Sequence, residues 1–244
     1  MKTKGNTILI TGGTSGIGRG LAEEFDQRGN TVIVCGRRGE RLGEIQRSFP
    51  GIITTVCDVS IVEEREALFH WAVEKFPELN ILINNAGIQL PVDMTKEVDI
   101  GKINKEIEVN LIAPIHLSSL IARHLASQKE SAVMNISSGL AFVPIAFMPV
   151  YCATKAAIHS ITMSFRNQMK DTSVKVFEII PPSVDTELGH ERRKNKNETH
   201  GGMPIKEFVI ETMEAIERDE LEAAISQAKN LREKGESLFG TMNG

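Results

Sequence analysis

Tyr151 is the only tyrosine among 244 residues, and a lysine follows it four positions later in the stretch YCATK. On a helix, that spacing places Tyr151 and Lys155 on the same face. A free phenol has a pKa of about 10, and a cation about 4 Å away at an effective dielectric of about 20 would lower it by roughly three units. The pair therefore predicts general acid–base chemistry at a hydroxyl group. A packed ring beside a solvated amine is the alternative.

A glycine-rich stretch, TGGTSGIG at residues 11–18, lies between an apolar run and an amphipathic stretch. Gly12, Gly16 and Gly18 would let the backbone turn tightly and approach a pyrophosphate at the N-terminus of a helix. A glycine-rich turn is often only a turn. Placed between a first strand and a first helix, this one predicts dinucleotide binding.

The residues about 20 positions further on should distinguish the two nicotinamide dinucleotides. An acidic residue there would bind the ribose 2′-hydroxyl of NAD, whereas a guanidinium can grip the 2′-phosphate of NADP. The second apolar run ends in VCGRR, with Arg37 and Arg38 and no acid. Two solvated arginines in a surface turn are the alternative. The sequence favours NADP(H), with NAD(H) as the less favoured cofactor.

Short β-branched runs alternate with amphipathic stretches along the chain. Strands are predicted at 7–11, 31–35, 52–56, 81–84, 132–137 and 174–180, and helices near 17–28, 40–48, 62–76, 102–127, 152–170 and 204–218. This alternation predicts an α/β fold with a doubly wound parallel sheet and helices on both faces. We expect a single domain over 1–244, with a core at 1–186, a substrate loop or lid region at 187–220, and a C-terminal strand and tail at 221–244.

Composition excludes several classes of function. A net charge of −4 and a pI near 5.9 give no basic footprint for nucleic acid. Apolar runs are too short for a membrane span, so we expect a cytoplasmic protein. The three cysteines (Cys35, Cys57 and Cys152) and the six histidines are scattered, so we expect neither a disulfide framework nor a metal site.

Several motifs follow one another along the chain: TGGTSGIG, CDV (57–59), NNAG (84–87), Asn110, NISS (135–138), YCATK and PPSVDT (181–186). Over about residues 5–186 the chain resembles the short-chain dehydrogenases/reductases. Along its whole length, including the C-terminal LFGTMN, it resembles the bacterial oxidoreductases named after the teichoic-acid D-alanylation operon. The resemblance implies a Rossmann-type fold and hydride transfer between a nicotinamide and a carbonyl or alcohol group.

The resemblance also implies the residues of the site. The catalytic residues would be Asn110, Ser138, Tyr151 and Lys155. Ser138 would donate a hydrogen bond to the carbonyl oxygen, and Asn110 would hold a water that links Lys155 to solvent. The cofactor would contact Gly12, Ser15, Gly16, Ile17 and Gly18 at its phosphates, Asp58, Val59, Asn85, Ala86 and Gly87 at its adenosine, and Val184 and Thr186 at its carboxamide, with Thr14, Arg37, Arg38, Tyr151, Lys155 and Pro181 as further cofactor-binding residues.

Two parts of the chain depart from the family pattern. Pro182 stands where many relatives have glycine, which stiffens the turn after the sixth strand and removes one N–H donor near the nicotinamide. Residues 204–226 match the family less clearly, so their part in a substrate pocket is open.

The stretch GLAFVPIAFMPV at 139–150 is apolar for a connection and predicts a pocket wall, with a buried structural loop as the alternative. Residues 187–202 form a polar segment with a basic run (Arg192, Arg193, Lys194, Lys196), which we interpret as solvated, with binding of an anionic substrate group as a minor alternative. These features favour a moderately apolar aldehyde or ketone as substrate.

Assembly and rival functions complete the sequence-based picture. The apolar stretches at 102–127 and 152–170 exceed what one face of a sheet requires, and family members commonly pair these helices, so we expect a homodimer or homotetramer. The leading function is an NADP(H)-dependent carbonyl reductase or alcohol dehydrogenase. The alternatives are a non-catalytic NADP-binding redox sensor or regulator, and an NAD-dependent alcohol dehydrogenase.

Overall fold

The computed structural model describes residues 1–189 and 201–244. A seven-stranded sheet runs through the described residues in the order β3-β2-β1-β4-β5-β6-β7, and every pairing is parallel. The strands are β1 (Thr7–Thr11), β2 (Thr31–Gly36), β3 (Ile53–Val56), β4 (Leu79–Asn84), β5 (Ser131–Ile136), β6 (Val174–Ile180) and β7 (Glu222–Ala224).

Helices connect consecutive strands and cover the sheet. They are α1 (Gly16–Gln27), α2 (Gly39–Ser48), α3 (Val62–Lys75), α4 (Ile100–Ile107), α5 (Ala113–Ala126), α6 (Pro149–Gln168), α7 (Ile205–Glu217), α8 (Ala228–Lys234) and α9 (Phe239–Asn243). A π-helical turn at Glu108–Ile112 joins α4 to α5, so the single amphipathic stretch predicted at 102–127 contains an interruption. Within the described residues, no helix is both long and apolar enough to cross a membrane.

The core has two layers because successive strand residues face opposite sides of the sheet. Ile8 and Ile10 of β1 belong to one buried apolar cluster, together with Phe25 of α1. Leu9 belongs to the second cluster, together with Leu117 of α5. Strands buried on both faces have continuous apolar sequences, which is why the runs read from the sequence match the observed strands.

The prediction of a doubly wound parallel sheet is confirmed. The chain moves outward from β1 to β3 and then returns to place β4 on the other side of β1. In open parallel sheets, ligands bind beyond the carboxyl ends of the strands at such a switch point. The segments that follow β1, β4, β5 and β6 contain most of the residues assigned to the site.

The C-terminal region holds more regular structure than expected. Only a strand and a tail were predicted over 221–244, whereas α8 and α9 follow β7 there. Asn243 of α9 accepts a hydrogen bond from Ala146 N (2.6 Å) and donates one to Pro144 O (3.0 Å), which fixes the C-terminus on the loop after β5. The division of the chain at residues 186 and 220 stays a prediction. The basic run from Arg192 to Lys196 lies outside the described residues.

Candidate active site

The turn between β1 and α1 requires glycine at two positions. Gly12 and Gly16 have φ values of +65° and +56°, in the left-handed region that glycine adopts readily. A Cβ added at Gly12 would lie 2.7 Å from Ala86 Cα, and one added at Gly16 would lie 3.2 Å from Thr186 Cβ. The turn is therefore packed directly between the segments that follow β4 and β6.

The NNAG segment is joined to this turn by hydrogen bonds. Thr11 Oγ1 accepts from the backbone N–H groups of Asn85 (3.0 Å) and Ala86 (3.1 Å). The Asn85 amide donates to Thr11 O (2.9 Å) and Gly12 O (3.1 Å). Asn85 and Ala86 thus lie against the glycine turn, and their contact with the adenosine of a cofactor stays a prediction. Thr11 was missed, although its place at the carboxyl end of β1, directly before the glycines, was a usable signal.

The two arginines after β2 point to different partners. Arg38 Nη2 donates to Thr14 Oγ1 (3.2 Å) and Ser15 Oγ (3.0 Å), so its guanidinium lies across the glycine turn. Arg37 Nη1 instead lies 3.8 Å from a carboxylate oxygen of Asp58. The sequence treated the pair as equivalent, whereas the structure brings only Arg38 against the turn.

Glu187 connects the segment after β6 to the same region. Its carboxylate contacts Arg38 at 3.3 Å and Arg41 at 3.1 Å. Neither Glu187 nor Arg41 was identified from the sequence, because their partners come from distant parts of the chain.

The CDV segment follows β3 and lies beside Arg37 at the edge of the candidate site. Burial alone would raise the pKa of Asp58, but hydrogen bonds from Ser60 and Lys105 outweigh it and hold the pKa below its ordinary value. Asp58 Oδ1 accepts from Ser60 N (3.0 Å) and Ser60 Oγ (2.7 Å), and Oδ2 lies 3.2 Å from Lys105 Nζ. Asp58 therefore stays ionised. Val59 is buried beside it.

The predicted catalytic pair lies on α6, which begins at Pro149, a residue well suited to the first turn of a helix. Tyr151 is 6% exposed and packs with Met148 and Cys152. Lys155 is 5% exposed, and its Nζ donates to Ile136 O at 2.8 Å. Nζ lies 5.7 Å from the centroid of the Tyr151 ring. The helical spacing thus produces the predicted pair.

Two buried carboxylates act on this lysine. Burial lowers the pKa of Lys155 to about 8, and the negative charges of Glu106 and Glu178 offset part of that effect. Glu106 and Glu178 are both 0% exposed. Glu106 Oε1 accepts from Leu90 N (3.0 Å), and Glu178 Oε2 lies 2.7 Å from His159 Nδ1. Neither acid was found from the sequence, since a lone glutamate in a helix or strand carries no motif.

Asn110 lies in the π-helical turn between α4 and α5. Its side chain donates to Ile88 O (2.8 Å) and accepts from Ile88 N (2.9 Å), and it also donates to Thr154 Oγ1 (3.3 Å) on α6. A Cβ at Gly87 would lie 3.5 Å from Asn110 Oδ1 and 3.9 Å from Lys155 Nζ. Asn110 therefore joins the segment after β4 to α6, and its predicted water-holding role stays a prediction.

Ser138 follows β5 and begins a short 3-10 turn. Its Oγ accepts from Leu140 N at 3.1 Å, and the residue is 8% exposed. A hydroxyl has one proton to donate and two lone pairs, so accepting this bond leaves the proton for another partner. The neighbouring Gly139 N donates to Pro181 O at 2.9 Å, which places Pro181 at the same edge of the sheet.

The segment after β6 is held against a second piece of chain. Val184 forms an isolated parallel bridge with Met203. Asp185 N donates to Met203 O (2.9 Å), and Met203 N donates to Ser183 O (2.8 Å). These bonds fix Val184, while Thr186 lies against Gly16. Pro182 is partly exposed just before them.

The apolar loop at 139–150 divides into two parts. Met148 is buried against Tyr151, and Leu140 and Ile145 pack on the same cluster. Phe142 instead stacks edge-on with His159, with ring centroids 4.8 Å apart. Phe147 is 54% exposed. The loop is thus partly a wall beside Tyr151 and partly structural.

The glycine turn has the properties that a dinucleotide phosphate requires. The Ser15 side chain makes no capping hydrogen bond to α1 and instead accepts from Arg38. A helix N-terminus favours negative charge. The Arg38 guanidinium and the N-terminus of α1 therefore meet at this turn. Gly12 and Gly16 have no side chain there, so a phosphate group can approach the backbone closely.

Comparisons with known proteins agree with this geometry. The sequence matches the short chain dehydrogenase family over residues 6–197. It is 43% identical over 248 residues to an uncharacterized oxidoreductase, DltE, of Bacillus subtilis (strain 168), covering 100% of this chain and 98% of that protein. A short-chain dehydrogenase from Sphingobium yanoikuyae in complex with NADPH is similar in structure, with a TM-score of 0.80, 25% identity, and coverage of 89% of this chain and 87% of that one.

A short-chain dehydrogenase/reductase from Burkholderia phymatum in complex with NAD has the same fold. Its TM-score is 0.86 at 20% identity, covering 100% of this chain and 97% of that one. The family match includes the glycine turn, the strand ends and the catalytic helix, and the B. subtilis relative matches the whole chain. The chain therefore belongs to the short-chain dehydrogenase family of oxidoreductases.

Proposed function

We propose that this protein is an NADP(H)-dependent oxidoreductase that interconverts a moderately apolar aldehyde or ketone and its alcohol, with Tyr151 as the proton donor or acceptor. The observation that carries this proposal is the buried pair on α6. Lys155 Nζ lies 5.7 Å from the centroid of the Tyr151 ring, and neither side chain is more than 6% exposed. A phenol and an ammonium held together out of water have a clear use in proton transfer.

The preference for NADP(H) rests on Arg38. Its guanidinium contacts both hydroxyls of the glycine turn, Thr14 and Ser15, and is 50% exposed, so it can reach a phosphate. The S. yanoikuyae protein was solved with NADPH and the B. phymatum protein with NAD, so the choice between the two cofactors depends on Arg38. Arg37, whose guanidinium lies 3.8 Å from the Asp58 carboxylate, contributes less to this preference.

The proton chemistry follows from the positions of three side chains. When bound, the nicotinamide supplies or accepts the hydride at the reacting carbon. In reduction, the Tyr151 hydroxyl gives its proton to the carbonyl oxygen. Lys155 stabilises the phenolate left behind, because a nearby ammonium favours the charged form of a phenol, and its Nζ lies 5.7 Å from the centroid of the Tyr151 ring. Ser138 Oγ, which already accepts from Leu140 N, donates its proton to the developing oxyanion.

Three further side chains, Glu106, Glu178 and Asn110, act through these residues. Glu106 and Glu178 favour the ammonium form of Lys155, which is the form that lowers the pKa of a phenol. Asn110 holds Ile88 on one side and Thr154 on the other, and so fixes α6 relative to the segment after β4. Both effects keep the proton donor and its cation in place.

The apolar character of the substrate is inferred from the surroundings of Tyr151. Met148, Leu140 and Ile145 cluster beside its ring, and Phe147 is exposed nearby in the chain. Ligand sites are mostly apolar, with a few polar groups that fix orientation. The polar groups here are those that act on the carbonyl oxygen, so the remainder of the substrate meets apolar side chains.

The test is Tyr151→Phe, which removes one hydroxyl and preserves the ring. We expect NADPH binding, followed by fluorescence, to be retained, and turnover to fall by roughly a hundredfold or more. Turnover is measured as NADPH absorbance with a panel of aldehydes and ketones. Undiminished turnover in the variant would remove Tyr151 from the mechanism. Tight NADPH binding by the unaltered protein, with no turnover across the panel, would favour the redox-sensor alternative.

A further inference from the structure

A cluster of three metal-ligating side chains lies at the edge of the sheet, behind the candidate active site. Glu178 of β6 and Glu222 of β7 are register partners on parallel strands, so their side chains lie side by side. His159 of α6 packs over them, with Nδ1 2.7 Å from Glu178 Oε2. One ligand atom from each of the three residues lies within 4.8 Å of the other two.

The two carboxylates require positive charge between them. Like charges directly opposite on neighbouring strands are destabilising, and a buried carboxylate needs a partner. Glu178 is 0% exposed, and its Oε1 has no hydrogen-bond partner within residues 1–189 and 201–244. Arg232 Nε lies 2.7 Å from Glu222 Oε1, which satisfies the outer carboxylate only. Oε1 of the inner carboxylate is thus left without a hydrogen-bond donor from the described part of the chain.

Two nearby cations make their hydrogen bonds to backbone carbonyls, although the charge of Lys155 is close enough to interact with Glu178. Arg166 of α6 donates to Val176 O (2.8 Å) and Leu221 O (2.6 Å), and Lys155 Nζ donates to Ile136 O (2.8 Å). His159 can supply a positive charge only as an imidazolium. As a neutral imidazole it supplies a lone pair, which is what a metal ion requires.

The donor set selects the kind of ion. One imidazole nitrogen and two carboxylate oxygens suit Zn²⁺ and other divalent first-row transition ions, whereas Ca²⁺ and Mg²⁺ prefer oxygen ligands throughout. Bonds of about 2.1 Å in a tetrahedral site separate donor atoms by roughly 3.4 Å. The observed spread of 4.8 Å or less closes to that distance by rotation of the long glutamate side chains.

The cluster is open to solvent on one side, and its histidine is held in place by neighbouring side chains. The side chains of His159 and Glu222 are 18% and 30% exposed, so an ion can enter from solvent. Phe142 packs edge-on against the His159 ring and lies under the Arg232 guanidinium at 4.8 Å, which orients both. We propose that His159, Glu178 and Glu222 form a binding site for one divalent transition-metal ion of the zinc type, completed by solvent.

Such an ion would connect α6 to the β6–β7 edge of the sheet. His159 follows Lys155 by one helical turn, so the site is adjacent to the Tyr151–Lys155 pair, and the charge of Glu178 acts on Lys155 as well. The role implied is structural, and it does not depend on the proposed reaction. Metal binding by residues brought together only in the folded chain adds to folding stability.

The experiment uses the full-length protein, stripped with a chelator and titrated with Zn²⁺ against a chromophoric indicator. Retained metal is measured after desalting, and thermal unfolding is recorded with and without Zn²⁺. The test variant is Glu222→Gln, which keeps the shape and the His159–Glu178 contact. The matched control is Glu220→Gln, because Glu220 also pairs with an arginine, at 2.8 Å from Arg218 Nε, but lies outside the cluster.

We expect about one Zn²⁺ per chain and a higher Tm with Zn²⁺, both retained in Glu220→Gln. Affinity should fall by at least about tenfold in Glu222→Gln, since loss of groups that only orient ligands already costs 10- to 100-fold. His159→Gln is a second test variant with the same expectation, in case the first folds poorly. Equal affinity in the test and control variants overturns the proposal. So does the lack of stoichiometric binding by the unaltered protein, which would leave the cluster as a hydrogen-bonded histidine–carboxylate pair.

Discussion

Lys155 should make the folded protein less stable at neutral pH than it would be without this charge. Its pKa in the folded chain is about 8, against an ordinary value of 10.5, because it is buried. The difference of about 2.5 units corresponds to about 3 kcal/mol at 1.36 kcal/mol per unit. Below pH 8 both the folded and unfolded chains hold the proton, so the full cost is present. Between about pH 8 and 10.5 only the unfolded chain holds it, so stability rises with pH.

The perturbation is Lys155→Met, which keeps an apolar side chain of similar length and removes the charge. Urea unfolding, followed by far-ultraviolet circular dichroism and by the fluorescence of the single tryptophan, gives the free energy of unfolding of both proteins at each pH. Titrating groups that do not interact with Lys155 cancel in the difference between them. We expect the unaltered protein to gain about 3 kcal/mol relative to Lys155→Met between about pH 7 and pH 10.5. Lys129→Met, at an exposed position, controls for the loss of one lysine. A difference that does not change with pH would refute the argument.

Three further predictions concern the cofactor, the glycine turn and assembly. Arg38→Ala should weaken NADPH binding about 10- to 100-fold in a fluorescence titration and leave NADH binding nearly unchanged. Arg37→Ala should weaken NADPH binding less. Equal losses of NADPH affinity in the two variants would contradict the assignment of the 2′-phosphate to Arg38. Gly12→Ala should lower the free energy of unfolding by about 2 kcal/mol more than Gly29→Ala. Both glycines have positive φ, but an added Cβ would meet Ala86 at Gly12 and no atom within 4 Å at Gly29. Equal losses of stability in the two variants would exclude the clash with Ala86. Light scattering should give a dimer or larger, because Ile115 of α5 and Met163 of α6 are exposed (38% and 50%), and a monomer at micromolar concentration would count against it.

The strands and the turn chemistry could be predicted because they depend on local sequence. Apolar runs buried on both faces mark β1, β2, β4, β5 and β6, and a glycine turn has few alternatives at positive φ. The YCATK spacing fixed the Tyr151–Lys155 pair through helix geometry alone. Each of these features is determined within a few residues.

Other features depend on partners that the sequence does not connect. The π-helical turn around Asn110 has the same amphipathic pattern as an α-helix, so no periodicity distinguishes it. Glu106 and Glu178 become significant only because folding buries them near Lys155. Arg37 and Arg38 are neighbours in sequence, but their side chains reach different partners, Asp58 for Arg37 and Ser15 for Arg38.

The hydrogen bonds to Thr11 affect how the protein unfolds locally and how fast its backbone amides exchange. The amides of Asn85 and Ala86 lie beyond the end of β4, where loop amides usually exchange quickly with deuterated solvent. Both instead donate to the Thr11 hydroxyl at the end of β1, at 3.0 and 3.1 Å. They can be released only when the contact between the ends of these two strands breaks, so they should exchange as slowly as the sheet itself. The cofactor turn and the central strands would then open as one cooperative unit, with no separate loosening of the turn.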